Sequence, residues 1–264
     1  MIIALIDNGS LEPAAQRNLR AVAAALSVRV GMPVRAVSWK HSDRIPAAEL
    51  DGTPAWTLDA FLRSFVALGQ REFVFIPFFI SAQGAIGSAL RREIETLQRT
   101  LGGFEFRFTA GLANRGVIPA IAAAQIRETV RAHFLVQPPV IVVDHGGPSA
   151  VSAQLRDALA GMIAAELGRE IGPLAAASME GAHPPLLAEQ LRVSALAGRT
   201  VVVAPLFLSP GRHAGPTGDI AQICAASSAR CHVTGLVGTH PLAIAALAAA
   251  LQPALTDLHA PLSA

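Results

Sequence analysis

The feature that most constrains this chain is an alternation that runs its whole length. Short apolar runs at 2–6, 34–38, 73–80 and 104–109 alternate with segments of helical periodicity at 13–30, 57–68, 85–101 and 119–133. The order then recurs, with apolar runs at 140–143, 174–178, 201–208 and 231–236 and helical segments at 149–167, 184–196, 213–228 and 241–255. Such runs predict strands buried on both faces, and strand–helix alternation requires parallel sheets joined by right-handed crossovers. The expected fold is α/β: two tandem domains, each a four-stranded parallel sheet flanked by helices. The join falls at 136–139, giving domains 1–135 and 136–264.

The repetition extends to the residues. Asp7-Asn8-Gly9-Ser10 recurs as Asp144-His145-Gly146-Gly147, an offset of 137 residues. Ile76-Pro77-Phe78-Phe79-Ile80-Ser81 recurs as Ala204-Pro205-Leu206-Phe207-Leu208-Ser209 at an offset of 128, and Ala110-Gly111-Leu112 as Thr234-Gly235-Leu236 at 124. Drifting offsets mean that loops have changed length between matched strands, as surface connections tolerate.

Composition excludes several classes. Hydrophobic residues make up 52% of the chain and charged residues 15%, so much of it lies inside a core, and a net charge of +2 without Lys/Arg runs argues against nucleic acid and membrane surfaces. A mean hydropathy of +0.45 calls for a check of membrane spans. The longest stretch free of Asp, Glu, Lys and Arg is 231–256, and Gly235, Gly238, His240, Pro241, Gln252 and Pro253 interrupt it. MIIALIDNGS lacks a basic start and reaches Asp7 after a few apolar residues, which reads as a strand and not a signal peptide; a cytoplasmic protein is expected. Cys224 and Cys231 lack zinc-site spacing and read as small apolar residues on a helix and the following strand. The cluster Phe73, Phe75, Phe78 and Phe79 reads as strand core.

Chemistry gathers in the second repeat. His145, Glu180 and His213 follow three successive strands there, so parallel topology brings them to the carboxyl edge of one sheet, where open α/β folds bind ligands. Two imidazoles and a carboxylate suit a borderline divalent metal such as Co²⁺, Ni²⁺, Fe²⁺ or Zn²⁺. Aligning the repeats sets Asn8 against His145, Lys40 against Glu180 and Ala85 against His213. The first repeat thus reads as a degenerate copy, in which Lys40 would repel a cation. The turn Ser209-Pro210-Gly211-Arg212 offers amides and a guanidinium to an anionic group, or else Gly211 serves only the turn. His183 and His240 each precede a helix-starting proline and read as helix-cap neighbours or as supports for the ligands. His41, His133, His232 and His259 have no evident partners.

On these residues the chain resembles the class II tetrapyrrole chelatases, the sirohydrochlorin cobalt, iron and nickel chelatases of the CbiX/SirB type, in their tandem, flavodoxin-like form. The carrying motifs are Val143-Asp144-His145-Gly146-Gly147, Pro205-Leu206-Phe207-Leu208-Ser209-Pro210-Gly211-Arg212-His213, and Gly235 through Thr239-His240-Pro241-Leu242. The resemblance implies ATP-independent insertion of Co²⁺, or alternatively Fe²⁺ or Ni²⁺, into sirohydrochlorin or a related ring, in cobalamin or siroheme synthesis. The metal is then a substrate and no organic cofactor is expected. It implies His145 as ligand and proton acceptor, His213 as second ligand, Glu180 as metal or substrate contact, and Leu208, Ser209, Pro210, Gly211 and Arg212 lining the macrocycle site. The chain departs from the family pattern at Asn8 and Gly147. A tetrapyrrole partner, no nucleic acid, no membrane, and a monomer or homodimer are expected. The alternative is a non-catalytic tetrapyrrole carrier or metal-delivery protein derived from such an enzyme.

Overall fold

The computed structural model describes residues 1–80, 85–112, 116–193 and 198–256. In the first repeat, β1 (Ile2–Asp7), β2 (Val34–Ser38), β3 (Glu72–Pro77) and β4 (Glu105–Phe108) alternate with α1 (Pro13–Val30), α2 (Leu58–Ala67), α3 (Ala85–Thr100) and α4 (Val117–Ala132). The second repeat has β5 (Val140–Gly147), β6 (Leu174–Gly181), β7 (Thr200–Pro205) and β8 (Arg230–Val233), with α5 (Ala150–Leu167), α6 (Leu187–Leu191), α7 (Asp219–Ala225) and α8 (Pro241–Thr256). Each sheet has four parallel strands, in the orders β2-β1-β3-β4 and β6-β5-β7-β8.

The apolar runs bury as their composition demands. Phe61, Phe73, Phe75 and Ile94 centre the first core, and Phe78 is buried beside Phe79, which is only partly enclosed. Ile141, Val143, Leu187, Leu191, Val201 and Ile220 centre the second. Cys224 on α7 and Cys231 on β8 are both unpaired thiols; a hydrogen bond from Cys224 lowers Cys231 to about 6, while Cys224 itself is raised.

The compact units are not the sequence halves 1–135 and 136–264. One unit joins residues up to 115 to those from 238 onward, and the other is Gly116–Val237. Within the first, α8 packs on α1 and β3; within the second, α4 packs on α5 and β7. The repeat therefore marks where the pattern restarts, while each sheet is covered by the helix that closes the other repeat. Among the described helices none is long and apolar enough to cross a membrane.

Element ends differ from the sequence reading where turns take over. β5 and β6 run on to Gly147 and Gly181, beyond the expected ends at 143 and 178, and β7 stops at Pro205. The helix expected at 184–196 is described only as Leu187–Leu191, because Pro185 is held in an extended segment, its carbonyl accepting from Ser178 N (3.0 Å); residues 194–197 lie outside the described residues. The helix expected at 213–228 begins only at Asp219, since Gly215-Pro216 biases the backbone away from helix.

Candidate metal centre

The two repeats end their first strand pair differently, and the difference carries the site. In the first sheet β1 and β2 pair up to Asp7 and Ser38. In the second, the pairing continues past the matching Asp144 and Ser178, setting Gly146 against Glu180 and Gly147 against Gly181. His145 and Glu180 are thus side chains of adjacent strands rather than of loops. Gly146, at φ +82°, lets the strands close: a Cβ there would stand 1.9 Å from the Glu180 carbonyl oxygen. Gly9 makes the same approach to the Lys40 carbonyl, at 1.8 Å, which fixes Lys40 as the spatial counterpart of Glu180 and Asn8 as that of His145.

The third member arrives from the β7 side. After Pro205 the chain turns through 207–218, with Gly215 N donating to Gly211 O (2.8 Å) and Asp219 N to Arg212 O (3.1 Å). Gly218 passes so close that a Cβ would lie 2.6 Å from Arg212 O, and this tight return delivers Asp219 to His213. The Nδ1 of His213 stands 2.7 Å from Asp219 Oδ2. A carboxylate can only accept, so Nδ1 carries a proton toward Asp219 and Nε2 is the ring nitrogen left to meet a ligand.

The structure brings all three candidate ligands together. One ligand atom from each of His145, Glu180 and His213 lies within 4.8 Å of the others. His145 Nδ1 is 3.8 Å from Glu180 Oε1, and the two imidazole rings meet edge to face with centroids 4.8 Å apart. Ligands on one ion at bond lengths of about 2.1 Å stand about 3–3.5 Å apart, so small side-chain movements close the set around a metal. The side chains of His145 and Glu180 are 56% and 57% exposed while that of His213 is 13% exposed, which leaves one side open to an incoming molecule.

The remaining residues divide. Phe207, not singled out beforehand, lies beside both imidazoles, 6.4 Å from His145 and 6.2 Å from His213 between ring centroids. Leu208, Ser209, Pro210 and Gly211 form the half-buried turn leading to His213, and the Gly211 carbonyl serves that turn. Arg212 projects with its side chain 81% exposed, its Nε 3.6 Å from Asp219 Oδ2. His183 ties Nε2 to Pro148 O (3.1 Å), and His240 accepts from Leu242 N (3.2 Å) at the start of α8, so neither joins the ligand set. His133 and His232 do have partners, namely each other, stacked at 3.8 Å. Ser81–Gly84, the side chain of Ala85, and His259 lie outside the described residues. In the first unit Lys40 sits 3.7 Å from Glu93 Oε2 and over the Trp39 ring, an ion pair where the second unit has an open carboxylate.

Behind the ligands runs a buried network that the sequence reading did not single out. Ser178 Oγ donates to Asp144 Oδ1 (2.6 Å) and accepts from Arg156 Nη1 (2.8 Å). Burial raises the Asp144 carboxyl above its ordinary range, with the Ser178 hydrogen bond and the Arg156 charge acting the other way.

Among solved structures, SirB from Bacillus subtilis with Fe³⁺ superposes with a TM-score of 0.68 at 13% identity, covering 98% of each chain. CbiX, described as the terminal enzyme for biosynthesis of siroheme in denitrifying bacteria, gives 0.67 at 19% identity over 96% of this chain and 98% of its own. The sirohydrochlorin chelatase SirB from Bacillus subtilis subspecies spizizenii, in complex with cobalt, gives 0.67 at 13% identity over 97% of each. No curated protein sequence matches the chain. At these identities the structural likeness is one of fold, and that fold is the chelatase-like α/β class. Residues 139–254, the stretch holding His145, Glu180 and His213, match the CbiX family model.

Proposed function

We propose that this protein inserts a divalent metal, Co²⁺ or Fe²⁺, into sirohydrochlorin or a closely related cyclic tetrapyrrole without ATP. The observation that carries the reading is the convergence of His145, Glu180 and His213 within 4.8 Å at an open sheet edge. The fold relatives described with Fe³⁺ and in complex with cobalt, and the CbiX match, support the same chemistry. A metal enters the ring only as two pyrrole protons leave, so the site needs ligands that hold the ion loosely and a base near neutrality. In this reading His213, fixed by Asp219, and Glu180 present the ion; His145, the more exposed imidazole, binds it and takes up a pyrrole proton. Phe207 and the Leu208–Gly211 turn border the ring, and Arg212 meets a peripheral carboxylate. The pathway is cobalamin or siroheme synthesis, in the cytoplasm, with the protein a monomer or homodimer.

The test combines calorimetry and absorbance. Co²⁺ titration is expected to give one site per chain and at least a tenfold loss of affinity in His145→Ala. With sirohydrochlorin, His213→Ala is expected to lose insertion while keeping ring affinity, and Arg212→Ala to weaken ring binding. Two sites per chain, or Co²⁺ binding untouched in His145→Ala, would overturn the metal site. Ring binding with insertion no faster than the uncatalysed rate, across Co²⁺, Fe²⁺ and Ni²⁺, would instead make the protein a tetrapyrrole carrier.

A further inference from the structure

We propose that Arg156 is a positioning residue for the metal site, its buried guanidinium pinning the ends of β5 and β6 in the register that sets Glu180 beside His145. The proposal rests on the metal-site reading above and names what holds that site in shape. Arg156 lies on α5, underneath the strand ends, and is 3% exposed. A guanidinium so deeply buried is costly unless its donors and charge are matched. Here they are matched by three separate pieces of chain. Nη1 donates to Ser178 Oγ (2.8 Å) and to His183 O (3.3 Å), Nη2 approaches Pro184 O (3.5 Å), and Nε donates to Asp157 Oδ1 (2.8 Å). Through Ser178 Oγ the contact passes to Asp144 Oδ1 (2.6 Å).

Those partners are neighbours of the ligands. Asp144 precedes His145 on β5 and Ser178 stands two residues before Glu180 on β6; the two are paired across the strands and hydrogen-bonded, so their side chains share one face of the sheet. His183 and Pro184 belong to the segment that follows β6, so one planar fork braces both the strand and its exit. The pairing sets Gly146 against Glu180, so plain alternation would turn His145 to the other face; Gly146, at φ +82°, breaks that alternation, and the approach of His145 to Glu180 depends on the strand ends keeping this irregular pairing.

The first unit is an internal control. Its matching pair, Asp7 and Ser38, meets neutral groups: Ser38 Oγ donates to Gln16 Oε1 (3.1 Å) and accepts from Ser42 Oγ (2.9 Å). There the strand pairing ends at Asp7 and Ser38, and Asn8 and Lys40 stand where the ligands would be. The guanidinium brace and the extended pairing occur together, in the unit that carries the imidazoles and the carboxylate.

The test uses the full chain with Arg156→Met and Arg156→Lys, reading amide hydrogen exchange by mass spectrometry and Co²⁺ affinity by calorimetry. Arg156→Met is expected to speed exchange at least tenfold at 145–147 and 179–181, with little change at 140–143 and 174–177, and to weaken Co²⁺ at least tenfold. Arg156→Lys, which keeps the charge and one bond of the fork, is expected to restore part of both. Exchange raised evenly across the sheet, with Co²⁺ affinity unchanged, would overturn the proposal and leave Arg156 a support of general stability. If Arg156→Met does not fold, wild-type exchange and affinity in Arg156→Lys would overturn it equally. A wild type that binds no Co²⁺ would sink the metal reading instead; exchange still confined to the strand ends would then support the pinning alone.

Discussion

His213 is held in place by a residue six positions away. Asp219 holds its Nδ1 at 2.7 Å and so fixes both tautomer and ring orientation. Partners of this kind change metal affinity by about 10- to 100-fold when removed. Asp219→Ala is therefore expected to weaken Co²⁺ by that factor. Its melting temperature should move little, because the lost charge at the start of the short α7 is worth only about 0.3–1 kcal/mol. Calorimetry beside a thermal melt checks both, and an unchanged affinity would remove Asp219 from the site. A second carboxylate gives a pH signature in the other unit. Asp7, half-buried at the end of β1, is raised from 3.8 to about 6, chiefly by burial, against a hydrogen bond with Ser38 and one donated by Gly9 N. The folded chain holds this proton more tightly than the unfolded chain. The stabilisation is therefore complete below about pH 4 and is lost as pH rises through about 6, on the order of 2–3 kcal/mol in all. Asp7→Asn mimics the protonated carboxyl, and Ser38 Oγ can accept from its amide. It is expected to melt higher than wild type at pH 7.5 and no differently at pH 4. The same gain at both pH values would contradict the assignment.

Among the elements, the sequence is informative wherever periodicity dominates and silent where turn chemistry does. Among the described residues, the eight strands and eight α-helices were readable from apolar spacing, because burial imposes that spacing along an element. The extension of β5 and β6 was not, since Gly146-Gly147 has the composition of a turn. Only the close approach of Gly146 to Glu180 shows that the glycines allow pairing rather than end it. The convergence of His145, Glu180 and His213 was legible because parallel topology alone carries strand ends to one edge. Asp219 was not legible as a partner of His213: six residues is not a helical spacing, and the return depends on Gly215, Pro216 and Gly218. Arg156 was hidden differently, since an arginine on an amphipathic helix ordinarily faces water, and only tertiary packing reveals that this one faces β6.

For the whole molecule, the question is which lengths of chain can fold. The repeat suggests a cut at 135/136, but a piece beginning there would lack α4, which packs on α5 and β7 within the second unit and carries the buried Ile118, Ile121, Ala122 and Ile126. Leaving several such side chains without cover forfeits about 1.5–3 kcal/mol each, comparable in sum with the whole stability of a small domain. Arg127 adds a surface tie to Glu166 and Glu170, worth little by comparison. A fragment spanning 116–237 keeps α4, both ends of β5 and β6, and all three ligands. It is expected to melt cooperatively and to bind one Co²⁺, whereas 136–264, which exchanges α4 for α8, is expected to aggregate or to melt without a transition. Circular dichroism melts and Co²⁺ calorimetry on the two fragments check this. A cooperative 136–264 with full metal affinity would mean that α8 can serve either sheet and that the division between the units is not fixed by α4.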